Sequence, residues 1–315
     1  MKRCENIDAR VPALLPEAEI IDPLRLKQMY LDGEIDLICV LGPTASGKTR
    51  YAVALAQEMG NAEILSADSR QVYRGMDIGT GKDLDEYGDI PYHLMDIVDA
   101  GTKYNIFEYQ RDFEVAYKDI VERGAIPILC GGSGLYIEAA TCGYSLPEVP
   151  PDPVLRAELE TKSTEELIAQ LSSLKKLHNS TDYDTRKRLI RALEIAIYES
   201  EHPVGRTHFL PKKTYFIGTL VDREERNRRI DRRLDARIEE GMVDEIKGLL
   251  EKVPAEDLIY YGLEYKFVTL YATGQLTLEQ MREQLSTAIH QFAKRQMTWF
   301  RGMERKGICI HWTNV

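Results

Sequence analysis

The chain has 315 residues, 43% of them hydrophobic and 29% charged, which is an ordinary composition for a globular protein. No apolar stretch approaches the roughly 20 residues that span a bilayer, and the first residues lack the apolar segment of a secretory signal. The net charge of −10 argues at first against a nucleic-acid partner, but the cations cluster at 186–191, 223–233 and 294–306. Each cluster is either part of a basic surface or a solvated helix face with ion pairs.

The five cysteines are odd in number and scattered, with no C-x-x-C spacing. We therefore expect neither a disulfide framework nor a zinc site, and a cytoplasmic setting. Residues 1–34, which open "MKRCENIDARVPALLPEAEIIDP", are expected to form a poorly structured arm or a short appended helix.

Alternating apolar strands and helices occupy the next part of the chain. Strands are predicted at 35–41, 63–67 and around 125–132, with helices between them that end at Gly60 and Gly124. This order is typical of an α/β fold with a parallel β-sheet flanked by helices. Ligands of such sheets bind at the carboxyl ends of the strands.

The composition changes beyond residue 144. A proline-rich joint, "LPEVPPDP", leads into polar helical sequence, and the next predicted strand is at 214–221. We interpret 145–212 as an inserted helical domain between two parts of one core, 35–144 and 213–315. Long helices are predicted near 223–252 and 277–303.

The stretch "LGPTASGKTR" follows the first strand and fits the phosphate-binding pattern G-x-x-x-x-G-K-[ST]. Its glycines permit a tight turn, and backbone N–H groups and the positive end of the next helix attract phosphate. Lys48 supplies a point charge, and the Thr49 hydroxyl is a ligand for Mg²⁺. The diphosphate- or nucleotide-binding residues predicted here are Gly42, Pro43, Thr44, Ala45, Ser46, Gly47, Lys48 and Thr49.

Two further polar loops follow predicted strands. Asp68 ends the second strand and can accept a proton as a general base, or can serve only as an N-cap. Ser133, in "GGSG" after the third strand, places a hydroxyl at the same rim, or caps the next helix.

An ATPase or GTPase usually has an Asp after a later strand to hold Mg²⁺, and "ILCGGSG" has no carboxylate. A nucleotide or metabolite kinase stays open, with "RNRRIDRR" as an arginine-rich lid. So does an RNA-binding module whose phosphate loop is vestigial.

Several stretches together resemble the tRNA dimethylallyltransferases, the isopentenyl-transferase enzymes of bacteria. They are "GPTASGKT", "SADSRQVYRGMDIGTGK", "PYHLMDIVDA", "IPILCGGSGLYIEA", "RLIRALEI" and "AKRQMTWFRG", and they extend over most of the chain. The resemblance implies a P-loop NTPase-like core with a helical insertion that grips the anticodon stem-loop. It implies transfer of a prenyl group from dimethylallyl diphosphate to the exocyclic amine of the adenosine 3′ to the anticodon, in a cytoplasmic, monomeric enzyme that uses Mg²⁺.

The resemblance also implies roles for individual residues. Asp68 would be the general base, Ser133 would assist at the amine or diphosphate, and Arg229 would neutralise the leaving pyrophosphate. Trp299 and Phe300 could stack on a base or belong to the core. Contacts with tRNA are implied for Asp68, Ser69, Arg70, Gln71, Ser133, Arg156, Lys187, Arg188, Leu189, Ile190 and Arg191.

The chain departs from the family pattern at three places. It has Glu264-Tyr265-Lys266-Phe267 where Gly-Tyr-Lys-Glu is common, Ile289-His290-Gln291 before "AKRQ", and "HNSTDYDTRK" before "RLIRALE". All three departures fall in regions expected near tRNA, so they bear on tRNA binding more than on prenyl-donor binding.

Overall fold

The computed structural model describes residues 17–143, 149–174, 185–202 and 212–315. The chain divides into two compact units, Met1–Cys142 with Pro211–Val315, and Gly143–Leu210. Our sequence-based boundaries for the insertion, 145–212, stay a prediction beside this division.

The first unit is built on a sheet in which every strand pair is parallel. In the order of the sheet, its strands are β4 (Tyr92–His93), β2 (Ala62–Ser66), β6 (Ile126–Gly131), β1 (Leu37–Leu41), β7 (Thr214–Leu220) and β8 (Ile310–Asn314). The short strands β3 (Tyr73–Arg74) and β5 (Val98–Asp99) form a separate parallel pair.

Alternate side chains of β1 enter different cores on the two faces of the sheet. Leu37, Cys39 and Leu41 belong to one buried cluster. Ile38 and Val40 belong to the other. This is why the central strands read as continuous apolar runs rather than as alternating ones.

Helices cover both faces of the sheet. They are α1 (Pro23–Leu31), α2 (Lys48–Met59), α3 (Ile106–Glu122), α4 (Gly134–Thr141), and, after residue 212, α8 (Arg223–Glu239), α9 (Met242–Leu250), α10 (Ala255–Tyr260), α11 (Leu263–Ala272) and α12 (Leu278–Arg305). None of the helices within the described ranges is long and apolar enough to cross a membrane.

The single helix predicted over 223–252 is wrong, because the structure breaks it in two. α8 ends at Glu239, and Gly241 has a φ of +102° before α9 begins at Met242. This left-handed conformation favours glycine and ends the helix. In the amino-terminal arm, α1 is the predicted short helix, and Asp22 caps it by accepting hydrogen bonds from Leu24 N and Arg25 N. The rest of the arm before residue 17 lies outside the described residues.

The second unit contains helices α5 (Pro153–Glu160), α6 (Thr164–Leu174) and α7 (Arg186–Glu201). Leucines from all three helices form its core, among them Leu159, Leu167 and Leu193. Leu189 and Ile190 are part of the same core and are 0% and 4% exposed. The side chains of these two residues therefore pack inside the unit, and their contact with tRNA stays a prediction.

Candidate active site

The phosphate loop lies between β1 and α2 and packs tightly against β7. A Cβ at Gly42 would lie 2.0 Å from Thr219 Oγ1, and Gly47 has a φ of +82°. Thr219 Oγ1 donates to Ser46 Oγ at 2.7 Å, and Ser46 is fully buried. The Ser46 hydroxyl thus holds the loop to the sheet, while the glycines allow its turn.

Lys48 begins α2 and interacts electrostatically with several ionisable groups. Burial lowers the pKa of its ammonium group below the ordinary value, and Arg233 and Arg237 lower it further. Asp68 and Cys130 act in the opposite direction and raise the pKa of Lys48. The carboxylate predicted as general base therefore interacts electrostatically with the lysine of the phosphate loop.

Asp68 and Ser133 follow β2 and β6, which are neighbours in the sheet. Asp68 Oδ1 accepts a hydrogen bond from Arg70 N at 2.9 Å, and Ser133 Oγ accepts one from Ser69 N at 3.1 Å. Ser133 precedes α4, but its side chain makes no capping hydrogen bond. The Ser133 hydroxyl joins two loops instead of capping its own helix.

Three arginines on α8 are spaced four residues apart, at 229, 233 and 237, and so lie along one helix face. Arg229 Nη1 is 3.9 Å from the position that a Cβ on Gly47 would take, while its Nε donates to Glu225 Oε1 at 3.0 Å. Arg229 therefore lies beside the phosphate loop, and its role at the leaving pyrophosphate stays a prediction. Arg233 donates to Asp83 Oδ2 at 2.5 Å.

Arg237 and Glu264 are a largely buried pair that the sequence did not predict, with side chains 10% and 22% exposed. Both residues and Arg233 line a cavity of about 10 Å³ together with Thr44 and Ala45 of the phosphate loop. Arg237 Nη1 is 4.0 Å from Glu264 Oε1. Burial raises the pKa of Glu264, and Arg237 opposes that rise. The helical spacing from Arg229 was a signal for Arg237, and the Glu264 departure was a signal for its partner.

Gln296 is a further residue that the sequence did not single out. It is on α12, within the "AKRQMTWF" motif, and is 8% exposed. Its Oε1 accepts a hydrogen bond from Thr44 N at 2.8 Å, and its Nε2 donates to Gly132 O at 2.9 Å. The amide thus joins the phosphate loop to the turn that carries Ser133.

The residues predicted to contact tRNA have different surroundings. Arg70 lies over the ring of Tyr260, 5.7 Å from its centroid, and Gln71 Nε2 donates to Gly81 O at 3.2 Å. Lys187 and Arg188 are exposed on α7.

Arg156 and Arg191 are engaged within the second unit. Both form ion pairs with Glu194, and Arg191 Nη2 also donates to Val149 O. Any contact of these two guanidinium groups with RNA competes with those internal partners.

The surroundings of Thr49 suit a magnesium ion that takes few protein ligands. Across the described ranges, no group of three or more His, Cys, Asp or Glu side chains is arranged to hold a metal ion. Mg²⁺ commonly keeps several waters and binds one or two protein groups together with substrate phosphates. The partly buried Thr49 hydroxyl, at the start of α2, fits that role.

Comparisons with known proteins identify the family of this chain. The family model described as IPP transferase matches residues 71–303, and the model described as isopentenyl transferase matches 35–87. A tRNA dimethylallyltransferase 2 of Bacteroides fragilis is 58% identical over 287 residues, which are 90% of this chain and 94% of the relative. Another, of Porphyromonas gingivalis, is 60% identical over 284 residues, 89% of this chain and 94% of the relative.

Solved structures give the same result. The tRNA isopentenylpyrophosphate transferase of Bacillus halodurans superposes with a TM-score of 0.63 at 33% identity, covering 88% of this chain and 89% of its own. A eukaryotic dimethylallyltransferase acting on tRNA gives a TM-score of 0.69 at 27% identity, covering 87% of this chain and 73% of its own. Because these matches extend over most of its length, the chain belongs to the IPP transferase family.

Proposed function

We propose that this chain transfers a dimethylallyl group from dimethylallyl diphosphate to the exocyclic amine of the adenosine 3′-adjacent to the anticodon, in tRNAs that read codons beginning with U. Pyrophosphate is the other product. One observation carries the proposal: the phosphate loop, Asp68 and Ser133 follow three adjacent strands, β1, β2 and β6, at the same edge of the sheet. An anion site for the leaving group and a proton acceptor for the amine therefore lie side by side.

The chemistry assigns a role to each of these groups. The bond between the allylic carbon and the diphosphate oxygen breaks as the adenine nitrogen forms a bond to the same carbon. Lys48, Arg229 and the backbone N–H groups of the loop stabilise the negative charge that develops on pyrophosphate. Asp68 accepts the proton that the amine loses, and Ser133 orients the amine. Mg²⁺ at Thr49 would neutralise further diphosphate charge.

The kinase alternative has less support from these residues. β6 ends at Gly131 and is followed by Gly132 and Ser133, so no carboxylate stands where nucleotide hydrolases hold their metal. The arginines interpreted as a possible lid belong to α8, a helix of the same unit as the sheet. The names of the relatives point to prenyl transfer.

The carboxyl-terminal helix supports an RNA partner. Trp299 is 40% exposed on α12, and a Cβ at Gly134 would lie 2.2 Å from its Cδ1, so the indole packs beside Ser133. Phe292 is also exposed, and Arg295 lies over its ring. Exposed aromatic rings beside cations suit the unstacked bases of a single-stranded loop. We propose the anticodon stem-loop as the partner of a monomeric, cytoplasmic enzyme.

The direct test uses labelled dimethylallyl diphosphate, Mg²⁺ and unmodified tRNA. The unchanged protein should transfer the label to tRNA. Asp68→Asn should reduce kcat by about 10²–10⁴-fold, because the proton acceptor is lost while its shape is kept. Lys48→Ala should weaken binding of the diphosphate and leave tRNA affinity nearly intact.

Lys118→Ala, which removes an exposed lysine of α3, is the matched control and should behave like the unchanged protein. Transfer of phosphate from ATP to a small molecule, with no label in tRNA, would instead support the kinase.

A further inference from the structure

We propose that Gln296 is a positioning residue that fixes the spacing between the diphosphate loop and the proton-accepting rim. The inference rests on the proposed function, because it concerns the same reaction. Gln296 touches neither Asp68 nor Lys48 through the hydrogen bonds of its side chain. It acts through the two loops that carry the reacting groups.

The side-chain amide uses both of its ends on backbone groups of different loops. Oε1 accepts the Thr44 N–H, and Nε2 donates to the Gly132 carbonyl. Gln296 is almost fully buried, so water cannot readily replace either partner. A buried backbone group whose hydrogen bond is lost keeps the cost of its removal from water. The distance between the two loops is therefore fixed by the length of the Gln296 side-chain amide that bridges them.

The glycines at the end of β6 are packed closely against the neighbouring loops. A Cβ at Gly132 would lie 2.5 Å from Gln296 Nε2 and 3.2 Å from Gly42 O. A Cβ at Gly131 would lie 2.3 Å from Ala67 O. The backbones after β1, β2 and β6 approach one another so closely here that a shift of one loop must displace its neighbour.

The connection continues from Gly132 to the predicted general base. Ser133 N donates to Ala67 O at 3.2 Å, and Ser133 Oγ accepts from Ser69 N. Asp68 lies between Ala67 and Ser69, so its backbone is held on both sides. Gln296 thus links the loop for the leaving group to the segment that carries the proton acceptor.

The assignment also changes the role of one loop residue. The Thr44 N–H points to Gln296 Oε1, so it is not available to a diphosphate oxygen in this structure. The predicted cradle therefore depends on its other N–H groups and on Lys48. Thr44 contributes the anchor of the loop instead of a phosphate contact.

The spacing matters because prenyl transfer has a competing reaction. When the carbon–oxygen bond breaks while the adenine amine is misplaced, water can attack the allylic carbon. Pyrophosphate leaves, the water oxygen bonds to carbon, and the released proton goes to solvent, which gives dimethylallyl alcohol. A misplacement of about 1 Å can cost about 10²-fold in rate, so loosening the two loops favours the water reaction.

The test is to compare Gln296→Met and Gln296→Glu with the unchanged protein. Methionine keeps the approximate volume and removes both hydrogen bonds, whereas glutamate keeps the acceptor for Thr44 and loses the donor to Gly132. We expect kcat for tRNA prenylation to fall about 10–100-fold in both variants, with the KM values for diphosphate and tRNA changed less than threefold. The amount of dimethylallyl alcohol per pyrophosphate released should rise.

Gln284→Met, the same change at an exposed position of α12, is the matched control and should leave the ratio of alcohol to prenylated tRNA unaltered. The proposal would be overturned if folded Gln296→Met gave an unaltered ratio of alcohol to prenylated tRNA, and if its kcat fell only in proportion to the fraction of protein that is folded. If the methionine variant does not fold, Gln296→Glu decides by the same ratio. Absence of prenyl transfer by the unchanged protein would refute the proposed function instead.

Discussion

At the scale of single residues, Gly81 and Arg237 depend on each other. A Cβ at Gly81 would lie 1.4 Å from Arg237 Nη2, and Gly81 has a φ of +61°. The Nε and Nη2 atoms of Arg237 have no hydrogen-bond partner among the described residues. A buried guanidinium without full partners lowers stability, so its presence beside the phosphate loop points to an electrostatic role at the site.

Replacing Gly81 with alanine tests two requirements at this position, the positive φ and the space occupied by Arg237. We expect Gly81→Ala to lower the free energy of unfolding by about 1–3 kcal/mol, from backbone strain together with overlap on Arg237. Gly75→Ala is the matched control, because Gly75 has a φ of +69° but no atom within 4 Å of its Cβ position. Denaturant unfolding measures the free energy of unfolding of both variants. Adding Arg237→Met should restore part of the stability lost in Gly81→Ala and none of the stability lost in Gly75→Ala. Equal losses in the two alanine variants would show that overlap contributes nothing.

At the scale of elements, the sequence predicts the strands and the loops after them, because local apolar patterns determine these features. The apolar runs before Gly42, Asp68 and Ser133 identify strands, and parallel pairing then brings the three loops to one edge. The break at Gly241 was missed because the sequence on both sides of it has helical character. Gln296 could not be placed either, since its contact with Thr44 joins residues that are 252 positions apart. No local pattern encodes how α12 lies against the sheet.

The two aromatic neighbours on α12 should respond differently to substitution. Phe300 is 0% exposed, so Phe300→Ala should cost about 3–5 kcal/mol of stability. Trp299→Ala should leave the melting temperature nearly unchanged and weaken tRNA binding by the equivalent of about 1–3 kcal/mol, the value of stacking one base on an aromatic ring. Thermal unfolding and filter binding measure the two effects. Unaltered tRNA affinity in Trp299→Ala would show that Trp299 does not bind RNA.

At the scale of the whole molecule, the unit Gly143–Leu210 has its own stabilising contacts. Beside its leucine core, the described part of this unit holds the buried carboxylate of Glu194, whose side chain is 2% exposed. Glu194 accepts hydrogen bonds from Arg156 Nε at 2.9 Å and from Asp152 N at 2.7 Å, and it also pairs with Arg191. The carboxylate therefore connects the start of α5 to α7.

This cluster should make the second unit sensitive to acid. Burial alone would raise the pKa of Glu194, but the hydrogen bonds from Arg156, Asp152 and Arg191 bring it below the ordinary value. A carboxyl group with a lowered pKa contributes stability above its unfolded value of about 4.3, and that contribution is lost as the pH falls through the folded value. We expect Glu194→Gln to lower the protection of α7 amides at neutral pH by about 1–3 kcal/mol and to flatten the acid dependence of that protection.

Hydrogen exchange, corrected for intrinsic rates, measures this effect helix by helix, with the amides of α2 as an internal reference. Glu199→Gln, an exposed change on the same helix, is the matched control. If the α7 amides are equally protected from exchange in Glu194→Gln and Glu199→Gln at neutral pH, the Glu194 carboxylate does not stabilise the unit. A loss confined to α7 while α2 stays protected would mean that the helical unit opens without disturbing the diphosphate loop. The RNA-gripping role proposed for this unit could then be altered separately from the chemistry.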